Sequence, residues 1–411
     1  HPSKVGYKDL VPLWKAEKFD PDALMRLFVQ AGAKYFVGQA MHHDNFDNFD
    51  SRHQRWNAVN IGPKKDISGL WRAAARAHAL PFGLTEHLGA SFNWFEVNKH
   101  SDTSGPYAGV PYDGNDPAFE DLYYHNQGSA LEQNGEWRWY TDNADFPRHW
   151  FDRIKDVIDK YQPDFLYSDG GVPFGEIGLR IITHLYNTSA AVHGTNRAVY
   201  TQKNTDPSMH MVGVLDIERG QMDAIAERPW QTDTSVGDWF YNVRDVYKTP
   251  EHVLEMLVDI VSKNGNLLLN IPQRPDGTID DECEHLLRQM AAWMEPNGEG
   301  IFGSRPWEVA VEGPSLVKAT ARFEEPVVVW SPEDFRFTSK GDTVYAYQMR
   351  WPEDGKSIIR SFASGKTKPV TEVRLLGHGS VAFDQTADGL HISLPSVAKV
   401  EGPHGFAITQ A

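Results

Sequence analysis

Two carboxylates stand where predicted strands end, and together they could cleave a glycosidic bond. Asp169 ends the apolar run in DFLYSDGG (164–171), and Glu218 ends the later run GVLDIE (213–218). Carboxylates at the ends of parallel strands face one mouth, which is the arrangement that glycoside hydrolysis needs. In the retaining version, one carboxylate attacks the anomeric carbon, while the other protonates the leaving oxygen and then activates water. Asp169 has a simpler alternative role, as the cap of a helix that begins near Pro173.

Histidines follow the first predicted strand, in the stretch MHHDNF. His42, His43 and Asp44 stand there, and Glu86 and His87 end the next predicted strand. Adjacent residues of an extended chain point to opposite sides, so His42 and His43 would not share one metal ion, and the i, i+4 spacing of a helical zinc motif does not occur. Neutral imidazoles that hydrogen-bond sugar hydroxyls fit better. We therefore expect no metal; one histidine packed under the loop and one in solvent is the alternative.

The composition argues against several other partners. The chain of 411 residues has a formal net charge of −16, which disfavours nucleic acid as the main partner. No apolar run approaches the roughly 18 residues of a membrane span. Cys283 is the only cysteine, so neither an internal disulfide nor a cysteine metal cluster can form. The negative charge makes a neutral ligand the expectation, and the absence of a membrane span predicts no membrane partner. The 13 Trp and 15 Tyr supply flat rings that suit the apolar faces of sugars, although an aromatic-rich chain is more often merely well packed.

The elements that must position these groups are strands of a parallel sheet crossed by helices. Short apolar runs alternate with amphipathic segments through most of the chain. In DPDALMRLFVQAG, Asp20 can cap a helix, Pro21 fits the first helical position and Gly32 ends it. Seven strands are predicted, at residues 34–40, 81–87, 164–170, 198–203, 213–218, 229–235 and 266–271. Since a closed barrel has eight strands, one strand is missing from the count, and a long loop spans 88–146.

The pattern changes near residue 308. From there, alternating runs follow one another without helical periods, at residues 308–313, 315–323, 342–349, 357–362, 370–377, 380–385, 390–395 and 405–410. Such short strands separated by turn residues predict an antiparallel β-sandwich. We therefore predict a catalytic (β/α) barrel domain over residues 1–307 and a C-terminal β-sandwich domain over residues 308–411.

Three separate motifs, in the expected order, resemble the α-L-fucosidase family of retaining glycoside hydrolases, glycoside hydrolase family 29. The segment from WKAEKFDPDALM to GPKKDISG (14–69) resembles the opening of that family. The segments LVDIVSKNGNLLLNIPQRPDGTI (257–279) and NGEGIFGSRPWE (297–308) resemble the end of its barrel. The resemblance covers roughly residues 14–308. It implies an exo-acting α-L-fucosidase with a (β/α)8-like barrel, a C-terminal β-sandwich and no cofactor.

The resemblance also implies roles for individual residues. The family's nucleophile, an Asp at the end of the fourth barrel strand, falls on Asp169. The family's acid/base is a later Glu; Glu218 fits best and Glu227 is the fallback. The implied substrate is an oligosaccharide or polysaccharide that ends in an α-L-fucose-like sugar. The implied sugar-binding residues are His42, His43, Asp44, Trp56, His87, Tyr167 and Trp239.

Two departures from the family pattern keep alternatives open. The strand that carries F-x-H-W-G, whose His touches the sugar, does not precede GYKDLVPLWKAEKFD, which explains the count of seven strands. Either the chain is a fragment or processed form, or something else closes the barrel. A carbohydrate-binding barrel with impaired catalysis is an alternative of another class. The second departure is YSDGG, where the family often has Trp near Tyr167 and a variable residue after the Asp. A different side chain beside the nucleophile could change which sugar the pocket accepts. The alternative is therefore an α-L-galactosidase or a related exo-glycosidase that acts on polysaccharide-derived oligosaccharides. A hydrophobic pocket discriminates against a sugar with one added hydroxyl by only about 100-fold.

The location and assembly of the protein are less constrained. No signal peptide is visible at the start of the chain. We expect a secreted or periplasmic protein whose leader has been removed, and a cytoplasmic location stays open. The oligomeric state, the linkage that is cleaved and the sulfation of the glycan cannot be inferred from these patterns. A metal-dependent hydrolase is a third alternative, which activity lost to a chelator would support.

Overall fold

The structure, a computed structural model, describes residues 1–125, 132–133, 136–319, 323, 325–396 and 401–411. Part of the predicted loop 88–146 therefore lies outside the described residues. The chain forms two compact units, which are described separately below. The first consists of His1–Val29, Ala33–Leu215 and Arg274–Thr278, and the second of Gln30–Gly32, Asp216–Gln273 and Ile279–Ala411. The predicted domain boundary at residues 307/308 stays a prediction.

The first unit is built on a parallel sheet. In chain order its strands are β1 (Phe36–Met41), β2 (Phe82–Glu86), β3 (Glu132–Gln133), β4 (Glu136–Trp137), β5 (Phe165–Ser168), β6 (Val199–Gln202) and β7 (Val214–Leu215). Strands β3 and β4 pair only with each other. The other five form one sheet in the order β1-β2-β5-β6-β7, with every neighbouring pair parallel. The residues that follow β1, β2, β5 and β6 therefore lie at one edge of the sheet.

Helices connect these strands. They are α1 (Tyr7–Leu10), α2 (Pro21–Gln30), α3 (Ile67–Ala77), α4 (Ser91–Trp94), α5 (Glu96–Lys99), α6 (Glu120–Tyr123), α7 (Phe146–Tyr161) and α8 (Glu176–His193). Two aspartates cap helices as N-cap residues do: the Ala23 amide donates to Asp20 Oδ1 at 3.0 Å, and the Gly69 amide donates to Asp66 Oδ1 at 2.9 Å. The capping role predicted for Asp20 is thus confirmed.

The second unit begins with a strand–helix–strand segment. Its elements are β8 (Trp230–Ser235), α9 (Pro250–Ser262) and β9 (Gly265–Asn270), followed by α10 (Asp281–Asn297). Strands β8 and β9 are parallel along their whole length, and Asp216 forms a parallel bridge with Gln231. Helix α9 begins where Thr249 accepts the His252 amide and Pro250 takes the first helical position. Within the described residues, all seven predicted parallel strands are present.

The rest of the second unit is an antiparallel sandwich. Its strands are β10 (Arg305–Glu312), β11 (Phe335–Lys340), β12 (Thr343–Gln348), β13 (Lys356–Ile359), β14 (Val370–Leu375), β15 (Gly379–Ser380), β16 (Ala382–Gln385), β17 (Leu390–Ser393) and β18 (His404–Gln410). One sheet has the order β10-β11-β12-β18-β14-β15, and the other has the order β13-β17-β16. Phe335, Phe337, Phe362 and Phe406 are fully buried in the sandwich core.

The sandwich contains one error of the sequence analysis. Residues 315–319 of the predicted strand 315–323 are irregular, and residues 320–322 lie outside the described part. The strand instead forms at Phe335–Lys340, whose FRFT segment alternates between apolar and polar side chains. In the part of the chain that the structure describes, no helix is long and apolar enough to cross a membrane.

Candidate active site

Asp169 directly follows β5, at the carboxyl edge of the parallel sheet. Its backbone amide donates to the Glu86 carbonyl at 3.3 Å, which continues the pairing of β5 with β2. Gly170 then takes a φ of +98°, a conformation that side chains disfavour. The Gly170 carbonyl accepts the Lys203 amide at 2.5 Å. The glycine therefore turns the chain away while Asp169 stays fixed between two strands.

Each carboxylate oxygen of Asp169 faces its own set of nitrogen atoms. Lys203 Nζ lies 2.9 Å from Oδ1, while His43 Nε2 lies 3.4 Å and His87 Nε2 lies 3.9 Å from Oδ2. Burial alone would raise the pKa of Asp169, but the hydrogen bond with His43 and the Lys203 ammonium together lower it far below its ordinary value. Asp169 is therefore an ionised carboxylate at neutral pH.

The ring of His43 is fixed by its other nitrogen. Nδ1 lies 2.6 Å from the His87 carbonyl oxygen. Because a carbonyl oxygen can only accept, Nδ1 carries a proton, and Nε2 donates to Asp169 only when the ring is an imidazolium. Only 5% of His43 is exposed, so the ring is held in one orientation against the carboxylate.

His42 and His87 form a stacked pair beside His43. Their ring centres are 4.5 Å apart with an interplanar angle of 20°, and the centres of His42 and His43 are 4.3 Å apart. Burial and the neighbouring imidazoles lower the pKa of His42 to about 3 and also lower that of His87. Both rings are thus neutral at pH 7. Within the described chain, His87 Nδ1 is buried without a hydrogen-bond partner.

This geometry corrects one expectation about the histidines. His42 and His43 do not point to opposite sides, because β1 ends at Met41 and the chain turns at residues 43–44. The alternative of one packed and one solvated ring is also not observed, since His43 is buried and His42 is only partly exposed. The described residues contain no group of three or more His, Cys, Asp or Glu side chains that could hold a metal ion.

Aromatic rings surround the Asp169 group. The ring centres of Trp94 and Trp139 lie 4.6 and 5.0 Å from that of His43. The Tyr140 hydroxyl donates to the Gly171 carbonyl at 3.2 Å. The buried Tyr167 ring lies 5.5 Å from the His87 ring and 5.5 Å from Lys203 Nζ. Such rings offer flat apolar faces of the kind that sugars stack upon.

Glu86 is a second buried carboxyl group close behind Asp169. It accepts hydrogen bonds from the Trp150 indole at 3.0 Å, from the Leu88 amide at 3.2 Å and from the Ser168 hydroxyl. Burial raises the pKa of Glu86 to about 7, and the negative charge of Asp169 contributes to the rise. Glu86 therefore exchanges its proton near neutral pH, whereas Asp169 does not.

Two other predicted sugar-binding residues have protein partners. The Tyr7 hydroxyl donates to Asp44 Oδ2 at 2.5 Å. The Trp56 indole donates to Asp121 Oδ1 at 3.1 Å, and only 5% of Trp56 is exposed. The structure thus brings His42, His43, His87 and Tyr167 together around Asp169. The contacts of Trp56 lie instead with Asp121 and its neighbours, and its sugar-binding role stays a prediction.

Glu218 and Trp239 belong to the second unit. Only 9% of Glu218 is exposed, and its backbone carbonyl accepts the Phe323 amide at 3.0 Å. The next residue, Arg219, has a φ of +52° and its amide donates to the Asp233 carbonyl at 2.9 Å. The Arg219 guanidinium lies 4.9 Å from the centre of the half-buried Trp239 ring. Glu227, by contrast, is exposed.

Lys203, Trp94 and Trp139 are not among the residues predicted from the sequence. Lys203 had a usable signal, because it ends the predicted strand 198–203 and the same strand-end rule selected Asp169. The two tryptophans had none, since they lie in the long loop 88–146, whose path does not follow from periodicity.

A parallel sheet that presents an ionised aspartate, neutral imidazoles and aromatic rings at its carboxyl edge defines a barrel enzyme that acts on carbohydrate. Residues 1–299 match the family model of α-L-fucosidase, and residues 330–409 match that of the α-L-fucosidase C-terminal domain. The chain belongs to the α-L-fucosidase family and is a glycoside hydrolase.

Known relatives and solved structures agree with this membership. Tissue α-L-fucosidase of Mus musculus is 28% identical over 100% of this chain and 80% of its own length. Plasma α-L-fucosidase of Homo sapiens is also 28% identical, over 97% of this chain and 76% of its own.

Among solved structures, the α-fucosidase of Thermotoga maritima in complex with fucose has a TM-score of 0.72 at 22% identity, covering 100% of this chain and 84% of that one. A trapped covalent intermediate of an α-L-fucosidase from Bacteroides thetaiotaomicron, formed with 2-fluoro-fucosyl fluoride, has a TM-score of 0.71 at 16% identity, covering 99% and 85%. These likenesses confirm the predicted barrel followed by a β-sandwich.

Proposed function

We propose that Asp169 is the nucleophile and Glu218 the acid/base with which this α-L-fucosidase hydrolyses terminal α-L-fucosyl residues. In the first step an oxygen of Asp169 bonds to the anomeric carbon, while Glu218 gives its proton to the departing oxygen. In the second step water takes the place of Asp169, and its proton passes to Glu218. The anomeric configuration is therefore retained.

The observation that carries the role of Asp169 is the arrangement around its carboxylate. A nucleophile must be ionised before substrate binds, and the Lys203 ammonium at 2.9 Å favours that form of Asp169. Its position after β5 is where barrel enzymes carry catalytic groups. The covalent intermediate trapped in the Bacteroides thetaiotaomicron relative is the species that this role requires.

Burial supports Glu218 over Glu227 as the acid/base. A general acid must keep its proton near neutral pH, which a less polar setting favours. Only 9% of Glu218 is exposed, whereas Glu227 is an exposed residue. We infer that Trp239 and Arg219 beside it contact the sugar or the aglycone.

The neutral histidines suit the sugar-binding role proposed for them. A neutral imidazole has one donor and one acceptor, and so can pair with a hydroxyl in either direction. The pKa of His42 is lowered to about 3, so its ring stays neutral over the working range. We propose that His42, His87 and Tyr167 bind the fucosyl residue of a fucosylated glycan, and that His43 and Asp44 complete this subsite.

Trapping tests the nucleophile. Incubation with 2-fluoro-fucosyl fluoride should add one fluorofucosyl group to the protein, and peptide mass spectrometry should place it on Asp169. Label on any other residue would overturn the assignment. Asp169→Asn should retain sugar binding and lose turnover by more than about 1,000-fold, as removal of a catalytic group does.

Azide rescue tests the acid/base. Glu218→Ala should hydrolyse 4-nitrophenyl α-L-fucoside slowly, and added azide should restore turnover and yield a fucosyl azide with retained configuration. Azide can replace the missing base in the second step because it needs no deprotonation. Glu227→Ala is the matched control and should behave like the wild type. Rescue of Glu227→Ala instead would transfer the role.

We also propose that the enzyme is exported to the periplasm or the medium, where it would encounter its glycan substrates. The expectation comes from its substrate class, while the single cysteine leaves the compartment open. Cell fractionation of the native producer, followed by immunoblotting, tests it. Recovery of the protein only in the cytoplasm would refute export.

A further inference from the structure

Lys203 is a buried cation that directly follows β6. Only 3% of its side chain is exposed, and its Nζ lies 2.9 Å from Asp169 Oδ1. Its backbone amide donates to the carbonyl of Gly170, the residue after Asp169, at 2.5 Å. A buried ammonium group is costly unless a charge and hydrogen bonds compensate it. The side chain and the backbone of Lys203 thus hold the same turn at two points.

The two oxygens of Asp169 are held unequally. Oδ1 has a full cation at 2.9 Å, whereas Oδ2 faces imidazole nitrogens of His43 and His87 at 3.4 and 3.9 Å. Attack needs a lone pair that is not already committed to a short, charge-assisted bond. Oδ2 is therefore the oxygen that bonds to the sugar, and Oδ1 becomes the carbonyl oxygen of the ester.

We propose that Lys203 is a catalytic residue for the breakdown of the glycosyl-enzyme ester, which it promotes by stabilising the departing Asp169 carboxylate through Oδ1. The inference rests on the proposed role of Asp169 as nucleophile. In this step the bond between the anomeric carbon and Oδ2 breaks, and its electron pair returns to Asp169. The oxygen of water bonds to the anomeric carbon, and the proton of water passes to the Glu218 carboxylate.

The effect of Lys203 differs between the two steps. A cation beside a carboxylate makes that carboxylate less basic, hence a weaker nucleophile but a better leaving group. Lys203 therefore slows formation of the ester somewhat, whereas it accelerates breakdown of the ester. Because the negative charge returns to Asp169 within a nearly water-free setting, the nearby ammonium is worth more than it would be in water.

Replacement of Lys203 by methionine, which has a similar volume and no charge, tests the proposal. With 4-nitrophenyl α-L-fucoside, Lys203→Met should lower kcat by about 100-fold, the scale for loss of one electrostatic contact to a reacting oxygen. KM should fall with kcat, because the ester accumulates. Rapid mixing should then show a burst of one equivalent of 4-nitrophenol. The acidic limb of kcat/KM should move to higher pH, since the pKa of Asp169 rises without the cation.

Two control variants separate this role from packing. Lys203→Arg keeps the charge and should show neither the burst nor the shifted acidic limb. Lys263→Met removes another buried lysine, whose Nζ lies 2.7 Å from Asp259 Oδ2. It should lower the melting temperature and leave the kinetic pattern of the wild type. If Lys203→Met does not fold, Lys203→Gln, also uncharged, replaces it in every measurement.

The possible outcomes are distinct. A Lys203→Met enzyme that loses kcat/KM equally at all pH values, with unchanged KM and no burst, would show that Lys203 only packs, and would overturn the inference. Trapping of wild-type enzyme with 2-fluoro-fucosyl fluoride is run in parallel. Label on Asp169 without a burst in the variant refutes only the role of Lys203. Label elsewhere refutes the proposed nucleophile.

Discussion

Asp169 and Glu86 show how two carboxyl groups in one neighbourhood acquire opposite ionisation. Asp169 lies against His43 and the Lys203 ammonium, which together outweigh the cost of its burial. Glu86 lies behind it with only neutral donors, so burial prevails and raises the pKa of Glu86 to about 7. The Lys203 ammonium beside Asp169, which Glu86 lacks, therefore decides which of the two carboxyl groups is ionised at neutral pH. Neither state follows from the residue types alone.

Glu86→Gln should change how stability depends on pH. The folded pKa of Glu86 is about 7 against an ordinary value of 4.5, so the folded protein binds a proton that the unfolded chain releases. This stabilisation is complete below about pH 4.5 and is lost as pH rises to about 7, a total of about 3 kcal/mol. Glutamine cannot lose a proton, so the variant should become more stable than the wild type, by a growing margin, between pH 5 and pH 8.

Urea unfolding at pH 5 and pH 8 measures this margin. The glutamine side chain of the Glu86→Gln variant can still accept from the Trp150 indole and the Leu88 amide and can donate to the Ser168 hydroxyl, so the packing partners of Glu86 are kept. Stability differences that are equal at the two pH values would show that Glu86 does not titrate in this range.

At the scale of elements, the sequence predicted the strands better than the loops. Seven apolar runs with flanking turn residues correctly located the parallel strands, and the strand-end rule found Asp169 and His87. The rings of His42 and His43 could not be oriented, because their directions depend on where β1 stops. Trp139 reaches the site through tertiary packing of a long loop, and no local pattern encodes that contact. The role of Trp56 also depends on such packing, through its bond to Asp121.

Gly170→Ala should impair activity more than stability. Gly170 has a φ of +98°, and an added Cβ would lie 3.0 Å from the Tyr140 hydroxyl and 3.2 Å from Trp139 Nε1. The backbone strain costs about 1–3 kcal/mol, and the crowding displaces Asp169 from its contacts. A displacement of about 1 Å at a reacting group lowers kcat/KM by about 100-fold. Steady-state kinetics and thermal melting measure the two effects.

Gly175→Ala is the matched control for Gly170→Ala. Gly175 also has a positive φ, of +57°, but an added Cβ would meet no atom within 4 Å. The variant should therefore melt at a lower temperature and keep its kcat/KM. Equal losses of activity in the two alanine variants would mean that backbone strain alone, rather than the contacts of Trp139 and Tyr140, explains the effect.

At the scale of the whole molecule, histidines with lowered pKa values occur in both units. Burial lowers the pKa of His42 to about 3 and of His149 to about 4 in the first unit, and of His404 to about 3 in the second. It also lowers the pKa of His87. Each ring stays neutral in the folded protein but takes up a proton below about pH 6.5 once the chain unfolds.

Stability should therefore fall as the pH drops below about 6.5. A histidine with a lowered folded pKa contributes stability that is complete above its unfolded pKa and is lost as pH falls towards its folded pKa, by about 2 kcal/mol per ring at pH 5. Glu86 acts in the opposite sense between about pH 4.5 and 7, so Glu86→Gln is the background in which to measure the histidines. The free energy of urea unfolding of that variant should be several kcal/mol lower at pH 5 than at pH 7.5. Calorimetry in two buffers should show that unfolding at pH 5 takes up more than one proton. Equal stability at the two pH values, without proton uptake, would mean that these rings are already charged in the folded protein. The proposal that His42 and His87 bind sugar as neutral imidazoles would then be refuted.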